Sequence, residues 1–418
     1  MAVAQDPAAQ ARRRRLDAGF WSVAYAFTVV MAFSTVPSPL YGLYQQRDGF
    51  SSFTITVIYG AYAIGVIASL VFAGHVSDWH GRRRVLVPAV AVSVLSALVF
   101  LAWREVPGLL IARVVNGLSV GVVTATATAW LAELHAEARP GDGPRRAQLV
   151  ATTVNLGGLG LGPLISGALA QWVARPLAVP YVVFVALLLL AVVLVAVAPE
   201  TRRRADPMPA YRPQRVAVPE AARGRFAAAA AGAFVSFGAL GLFTGLSATF
   251  LGGALHHPSH ALAGVAVFVT FWAGVVAQAA MQSWRLRRML ATGIGLMLAG
   301  LALTVVAAWL STPSLALFLA GGALAGGGIG AVFKGAIGTV GSISAPESRA
   351  EALAGLFLAG YVGLSVPVVG VGIALQHLSV RTTLLGFALV VGAAMVAAAP
   401  RLLAAEPGPG GGGDRVNA

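Results

Sequence analysis

Twelve stretches of this chain are each apolar over about twenty residues or more, and that repetition restricts what it can fold into more than anything else in it. A helix rises about 1.5 Å per residue, so one such stretch matches the roughly 30 Å of hydrocarbon in a bilayer. In lipid every backbone amide and carbonyl must be satisfied by protein, which a lone segment achieves only as a helix. The runs lie near 20–44, 53–76, 85–103, 108–134, 147–172, 177–198, 226–251, 261–283, 289–310, 314–342, 351–376 and 382–400. The expected fold is therefore an all-α integral membrane protein with twelve transmembrane helices. Composition agrees, because 58% of the 418 residues are hydrophobic and 11% charged, more apolar side chain than a soluble domain of this length can bury.

A formal charge of +14 would suggest nucleic acid in a soluble protein. Its placement says otherwise. With both termini inside, 23 of the 29 basic residues fall in cytoplasmic segments, among them Arg12–Arg15, Arg82–Arg84 and Arg202–Arg204. Four, Arg47, Arg104, Arg175 and Arg381, fall outside, and Arg113 and Lys334 lie within helices. This is the positive-inside pattern of a multi-pass protein in the inner (plasma) membrane, with the lipid bilayer as its surroundings and no nucleic-acid partner. The first run reads as a span and not as a cleaved signal, since it is too long and no A-x-A-like site follows. Pro37 and Pro39 should disrupt its outer end. Cysteine is absent, so thiols report nothing about redox compartment.

Residues 199–225 are rich in proline and arginine and divide the runs into two sets of six. The expected organisation is a six-helix bundle over 1–198, a mostly extended, solvated cytoplasmic linker over 199–225, a second bundle over 226–403 and a disordered Gly/Pro-rich tail over 404–418. The halves resemble each other. Setting Leu86 against Leu290 aligns Arg83 and Arg84 with Arg287 and Arg288, setting Gly121 against Gly330 aligns Gly117 with Gly326, and Pro163 matches Pro367. Matches in one order at nearly one offset point to duplication, the arrangement in which a solute site forms between pseudo-symmetric repeats.

Three short patterns carry chemistry. Between the second and third runs stands Gly74-xxx-Asp78-xx-Gly81-Arg82-Arg83. Asp78 can cap the amides at the start of the eleventh helix, and Arg82 can pair with Glu133 at the inner end of the fourth, forming a latch present only when the cytoplasmic side is closed; the alternative is a solvated turn whose arginines only set topology. In the fourth run, Leu109-xxx-Arg113-xx-Asn116-Gly117 puts a guanidinium inside a span, at a cost of several kcal/mol unless it meets water or a partner. Arg113, Gly117, Val120, Thr124 and Thr128 share one helical face, which either lines a central cavity or leaves Arg113 reaching the outer interface. In the fifth run, Gly158-xxx-Gly162-Pro163-xx-Ser166-Gly167 predicts a bent helix in tight contact with its neighbours.

Twelve helices in two halves, a central basic loop and these patterns resemble the major facilitator superfamily over essentially the whole ordered chain. That family's loop signature reads G-x-x-x-D-R-x-G-R-R, so Trp79 replaces an arginine; its fourth-helix pattern has Gln where this chain has Asn116; its fifth-helix antiporter pattern has Gly where this chain has Ser166. The resemblance implies a conformational latch at the first pattern, a part in proton transfer or substrate binding for Arg113, and proton-coupled efflux from the third.

Lys334 is the only lysine and lies in the tenth run, where it either lines the cavity or reaches the inner headgroups. With Arg113 it would favour neutral or anionic cargo. Tyr25, Ser34, Asn155, Ser236, Phe243, Thr244, Gln278 and Tyr361 are further cavity candidates. No acid occurs in the first run, so proton coupling would use Asp78, Glu133, a histidine such as His75 or His377, or a carboxylate on the substrate. His256, His257 and His260 read as a solvated loop and not as a metal site. There is no phosphate-binding Gly-Lys-Ser/Thr loop and no His-Glu-x-x-His, so no enzyme activity, cofactor or metal is expected. The expected function is alternating-access, proton-coupled efflux of a small-molecule substrate by a monomer. Proton-coupled uptake of a small anionic or neutral solute is the alternative, and a non-transporting membrane sensor a more distant one.

Overall fold

The computed structural model describes residues 7–202, 204, 206–207, 211–213, 220–345 and 348–404. Its helices in chain order are α1 (Pro7–Thr35), α2 (Tyr41–Asp48), α3 (Ser52–Ala73), α4 (Val76–His80), α5 (Arg82–Ala102), α6 (Val106–Ala138), α7 (Arg145–Trp172), α8 (Val179–Val197), α9 (Arg223–Gly253), α10 (His260–Ala280), α11 (Leu286–Trp309), α12 (Leu315–Ile343), α13 (Arg349–Ala374) and α14 (Val380–Leu403). Counting α1 with its continuation α2 as one segment, 12 among the described residues are long and apolar enough to cross a membrane. The tail expected at 404–418 lies, beyond Ala404, outside the described residues.

The outer end of the first span is interrupted where Pro37 and Pro39 were expected to disrupt it. The span stops at Thr35, passes through a tight turn at Ser38–Leu40 and resumes as α2, because Pro37 and Pro39 lack the amides that a continuing helix needs. Gly49, with φ of 70°, then ends α2 in the left-handed region.

Two six-span bundles repeat one packing scheme. In the first, α1 packs on α6, α7 and α8, and α6 lies between α3 and α5; in the second, α9 packs on α12, α13 and α14, and α12 lies between α10 and α11. The paired glycines sit at equivalent crossings. Gly117 and Gly121 meet α3 at Tyr62, Val66 and Ser69, while Gly326 and Gly330 meet α10 at Thr270 and Gly274. A Cβ at any of them would run into neighbouring backbone or a buried side chain, so helices approach this closely only through glycine. α8 and α14 lie at the periphery, where Leu189, Val193, Leu389 and Val390 are exposed, as lipid-facing side chains must be.

The bundles touch through α3 against α13 and α7 against α10. The glycines of the fifth span divide their work: Gly158 and Gly162 admit α1 at Thr28 and Ala32, and Gly167 admits α10 at His260 and Gly264. Pro163 lies within α7, which continues past it. The helices alternate in direction, so one face collects Arg12–Arg15, Arg82–Arg84, Arg139, Arg145 and Arg146, and the opposite face is poor in arginine.

Among the described residues, one bond crosses between the bundles on the arginine-rich face, Arg145 Nε donating to Gln282 Oε1 at 3.2 Å, and the others lie toward the arginine-poor end. Gln171 Oε1 accepts from Ser259 Oγ and His260 N, both at 3.1 Å; His260 Nδ1 lies 3.1 Å from Pro39 O; and Ser365 Oγ donates to Gly60 O at 3.3 Å. Deeper in, the hydroxyls of Tyr59 and Thr244 are hydrogen-bonded to each other. Toward the arginine-rich end the bundles instead enclose an open cavity of about 490 Å³.

Candidate functional site

Three groups of residues occupy the line from the arginine-rich face to the closed end. The first surrounds Arg82, whose side chain is 4% exposed. Its Nη2 meets Asp78 Oδ1 at 2.7 Å and Glu133 Oε1 at 2.9 Å, Nε donates to Glu133 Oε2 at 3.2 Å, and Nη1 donates to Ser77 Oγ at 2.6 Å. A buried guanidinium needs this density of acceptors to offset its lost hydration. Gly81, which starts α5 with φ of 98°, lets the chain turn so that the Arg82 and Arg83 amides point at Glu200, which accepts both at 2.9 Å. Gly74 closes α3 in an ordinary helical conformation.

Asp78 is engaged by Arg82 on its own bundle, and the cavity lies open at this end, the condition in which no bond to the first turn of α13 is expected. The start of the linker, exposed at Glu200, Arg202, Arg204 and Tyr211, is tethered to the first bundle. Pro199 O accepts from Trp130 Nε1 at 3.2 Å, Thr201 Oγ1 donates to Glu133 Oε2 at 2.6 Å, Arg202 Nε donates to Glu133 Oε1 at 2.9 Å, and Tyr211 OH donates to Phe72 O at 3.0 Å. His75 is enclosed by Trp79 and Tyr211, at ring separations of 4.6 and 5.9 Å, and does not line the central cavities.

The second group is a chamber of about 80 Å³ around Arg113. Arg113 is 3% exposed and does not reach the outer interface: Nη1 donates to Ser34 O at 2.6 Å, Nη2 lies 3.4 Å from Tyr59 O, and the guanidinium sits 4.6 Å from the Tyr62 ring centre. Its Nε has no partner among the described residues. Ser34, Thr124, Asn155, Thr244, Tyr361 and aromatic rings complete the wall, which contains no carboxylate. The expected cavity stripe on α6 therefore splits. Arg113 and Thr124 face the chamber, whereas Gly117 faces α3 because its missing Cβ makes room for that helix. Asn116 is buried at 1% exposure, lines neither cavity, and its amide lacks a hydrogen-bond partner among the described residues.

The third group lines the 490 Å³ vestibule. Lys334 Nζ donates to Gln278 O at 2.7 Å, and Gln278 Nε2 donates to Gly330 O at 3.0 Å, which fixes the lysine across α10 and α12 and away from the headgroups. Thr128, Gln148, Thr152, Asn155 and Gln282 line the same space, again without a carboxylate. Thr124, Asn155, Leu156, Phe333 and Phe357 border both cavities and so form the partition between them.

Of the remaining candidates, Tyr25 donates to Leu187 O at 3.3 Å, Phe243 packs on Phe318, and Ser236 is buried without a partner among the described residues; none of the three lines either cavity. Tyr59, Tyr62, Phe237, Phe333, Phe357 and Glu200 escaped sequence reasoning. The aromatics are indistinguishable from packing residues in an apolar run, and Glu200 lies 67 residues beyond Glu133 in what reads as a linker.

The family model described as Major Facilitator Superfamily matches residues 23–280. Over 145 residues the chain is 26% identical to an uncharacterized MFS-type transporter of Methanocaldococcus jannaschii, covering 35% of this chain and 36% of that protein. It is 27% identical over 100 residues to the arabinose-proton symporter of Bacillus subtilis, covering 24% and 22%, and 29% identical over 128 residues to the cephamycin export protein CmcT of Amycolatopsis lactamdurans, covering 30% and 25%. The matched stretch thus spans between 22% and 36% of these curated relatives. Among solved structures, a mutant of the nucleoside transporter NupG aligns over 92% of this chain and 99% of its own, with a TM-score of 0.68 and 12% identity. A bacterial homolog of the human lysosomal transporter Spinster, inward-facing and unoccupied, aligns over 95% and 99%, with a TM-score of 0.68 and 16% identity.

Proposed function

Because the chain belongs to the Major Facilitator Superfamily, we propose that it is a secondary transporter exporting a small organic compound from the cytoplasm by alternating access, in exchange for protons. The observation that carries the binding part of this reading is Arg113: a buried cation, without a carboxylate partner among the described residues, beside a chamber between two bundles. Such a charge is costly in a membrane interior and is retained where a ligand meets it.

The two bundles, 1–198 and 226–403, are the moving bodies, and the arginine-rich face is cytoplasmic, as the positive-inside rule requires. On that reading this conformation is open to the cytoplasm, and Gly74, Asp78, Gly81, Arg82, Arg83 and Glu133 form its gate. In the outward-open state Asp78 would meet the first turn of α13, with Arg82 held by Glu133. Arg113, Asn155 and Lys334 serve binding or coupling, Asn116 and Gly117 position Arg113 on α6, and Gly158, Gly162, Pro163 and Gly167 form the surface on which the bundles rock. The protein acts as a monomer. Export is favoured over uptake by the fifth-span pattern and by the likeness to an export protein. Uptake of an anion is the second reading, favoured by the two cations.

Flux in proteoliposomes under an imposed pH gradient tests both. Solute moving against the proton flow supports export by antiport, and solute moving with it supports uptake. No flux for any member of a broad panel of drugs, sugars and organic acids would overturn transport.

A further inference from the structure

The two cavities differ in what they can hold, and this bears on the substrate. The chamber beside Arg113 encloses about 80 Å³, room for a few waters, whereas the vestibule encloses about 490 Å³, within the range that accommodates a small organic molecule. Each carries one cation and no carboxylate. Lys334 Nζ gives one proton to Gln278 O, and its other two have no partner among the described residues. At Arg113, Nη1 is taken by Ser34 O, but Nε has no acceptor and Nη2 has only a long contact of 3.4 Å. These last two nitrogens form the edge of the guanidinium that receives a carboxylate side-on. That edge is sealed from solvent in this conformation, so an anion reaches it only after the chamber has enlarged.

Between the two cations stands an aromatic partition. Phe333 lies 4.8 Å from Phe237 and 5.6 Å from Phe357, Phe237 lies 5.6 Å from Tyr361, and Tyr361 lies 6.2 Å from Tyr62, measured between ring centres. Phe333 and Phe357 face both cavities. A solute passing inward must exchange contacts with these rings, which favours a flat apolar body over a heavily hydrated one.

We propose that the transported solute is an amphipathic organic anion, a carboxylate on a planar apolar body, bound in two stations: first with its anionic group at Lys334 in the vestibule, then at Arg113 beyond the partition formed by Phe333 and Phe357. This rests on the transport reading and adds the substrate class to it. Lys334 is a specificity residue, and Gln278 positions it. A cationic solute finds no counter-charge among the residues that line this path.

The test uses three probes with one ring system and different charge: 2-naphthoate, 2-naphthalenemethanol and 2-naphthylmethylamine. Binding to the full chain in nanodiscs is measured by calorimetry at two salt concentrations. The naphthoate should bind about tenfold tighter than the alcohol, with the amine weakest. Lys334→Gln should weaken the naphthoate about tenfold and remove most of its salt dependence, leave the alcohol unchanged, and be rescued by Lys334→Arg. An amine bound as tightly as the naphthoate, an unchanged naphthoate affinity in a folded Lys334→Gln protein, or binding of none of the three at millimolar concentration would each overturn the proposal. Distances between labels on the two bundles separate this from the transport reading. Bundles that move in a protein preferring the amine would keep transport and discard the substrate class, whereas rigid bundles in a protein preferring the naphthoate would do the reverse.

Discussion

On the proposed reading, function and stability pull in opposite directions at Arg113. The guanidinium is desolvated and offset only by carbonyl oxygens and tyrosine rings, so its removal relieves a charge that the fold accommodates at a cost. Arg113→Met is expected to unfold at a temperature no lower than the unaltered chain while losing at least about tenfold in flux for any solute that the proteoliposome assay identifies. A purely structural arginine would give the converse, a lower unfolding temperature with flux retained. Gly81 illustrates the other kind of residue. With φ of 98° and Glu200 Oε2 close to where a Cβ would stand, Gly81→Ala should cost about 1–3 kcal/mol, seen as a fall of a few degrees in thermal unfolding. An unaltered unfolding temperature would mean that the turn relaxes freely. The sequence marks Arg113 because a charge in an apolar run is conspicuous. It marks Asn116 in the same pattern without giving its direction, which is into the protein and beside neither cavity, and it conceals Glu200, whose partners are the amides of a helix start 117 and 118 residues earlier.

Whole elements were the most legible part of the chain, because span length and apolar content follow from bilayer thickness alone. Helix ends drifted where local chemistry overrides the apolar run: α1 stops at Thr35 before two prolines, and α6 runs on to Ala138 through the polar residues after Leu134. The glycine pattern of α7 announced close packing without naming the partners, which turn out to be α1 on one side and α10 on the other. That division gives a test of how the arginine-poor end closes. A side chain at Gly264 would strike the Pro163 carbonyl of α7, so Gly264→Leu should hold the bundles apart there. Spin labels at Gln171 and Ser259, whose side chains are 3.1 Å apart here, should move apart by several ångströms in that variant. An unchanged separation would show that α7 and α10 do not set the closure.

At the scale of the molecule, pseudo-symmetry was legible in matched glycines at Gly117/Gly326 and Gly121/Gly330, but the state of the cavity was not, since on the proposed reading one sequence serves an open and a closed arrangement. At the arginine-poor end the bundles are joined through Gln171 to Ser259 and His260 and through Pro39 to His260, and at the arginine-rich end through Arg145 to Gln282. None of these is a buried ion pair, so each contributes about 1 kcal/mol, a total that a ligand's preference for one state can outweigh. The chain has no cysteine, which makes a covalent lock unambiguous. Gln171→Cys with Ser259→Cys should form a disulfide on oxidation, fix the vestibule open and stop flux, and reduction should restore flux to the level of the single variants. Binding of solute from the open side should survive the lock, since Lys334 and the vestibule wall are not part of the joined end. Full flux through the oxidised protein would mean that the solute passes without the two ends opening in turn, and alternating access would then have to be abandoned.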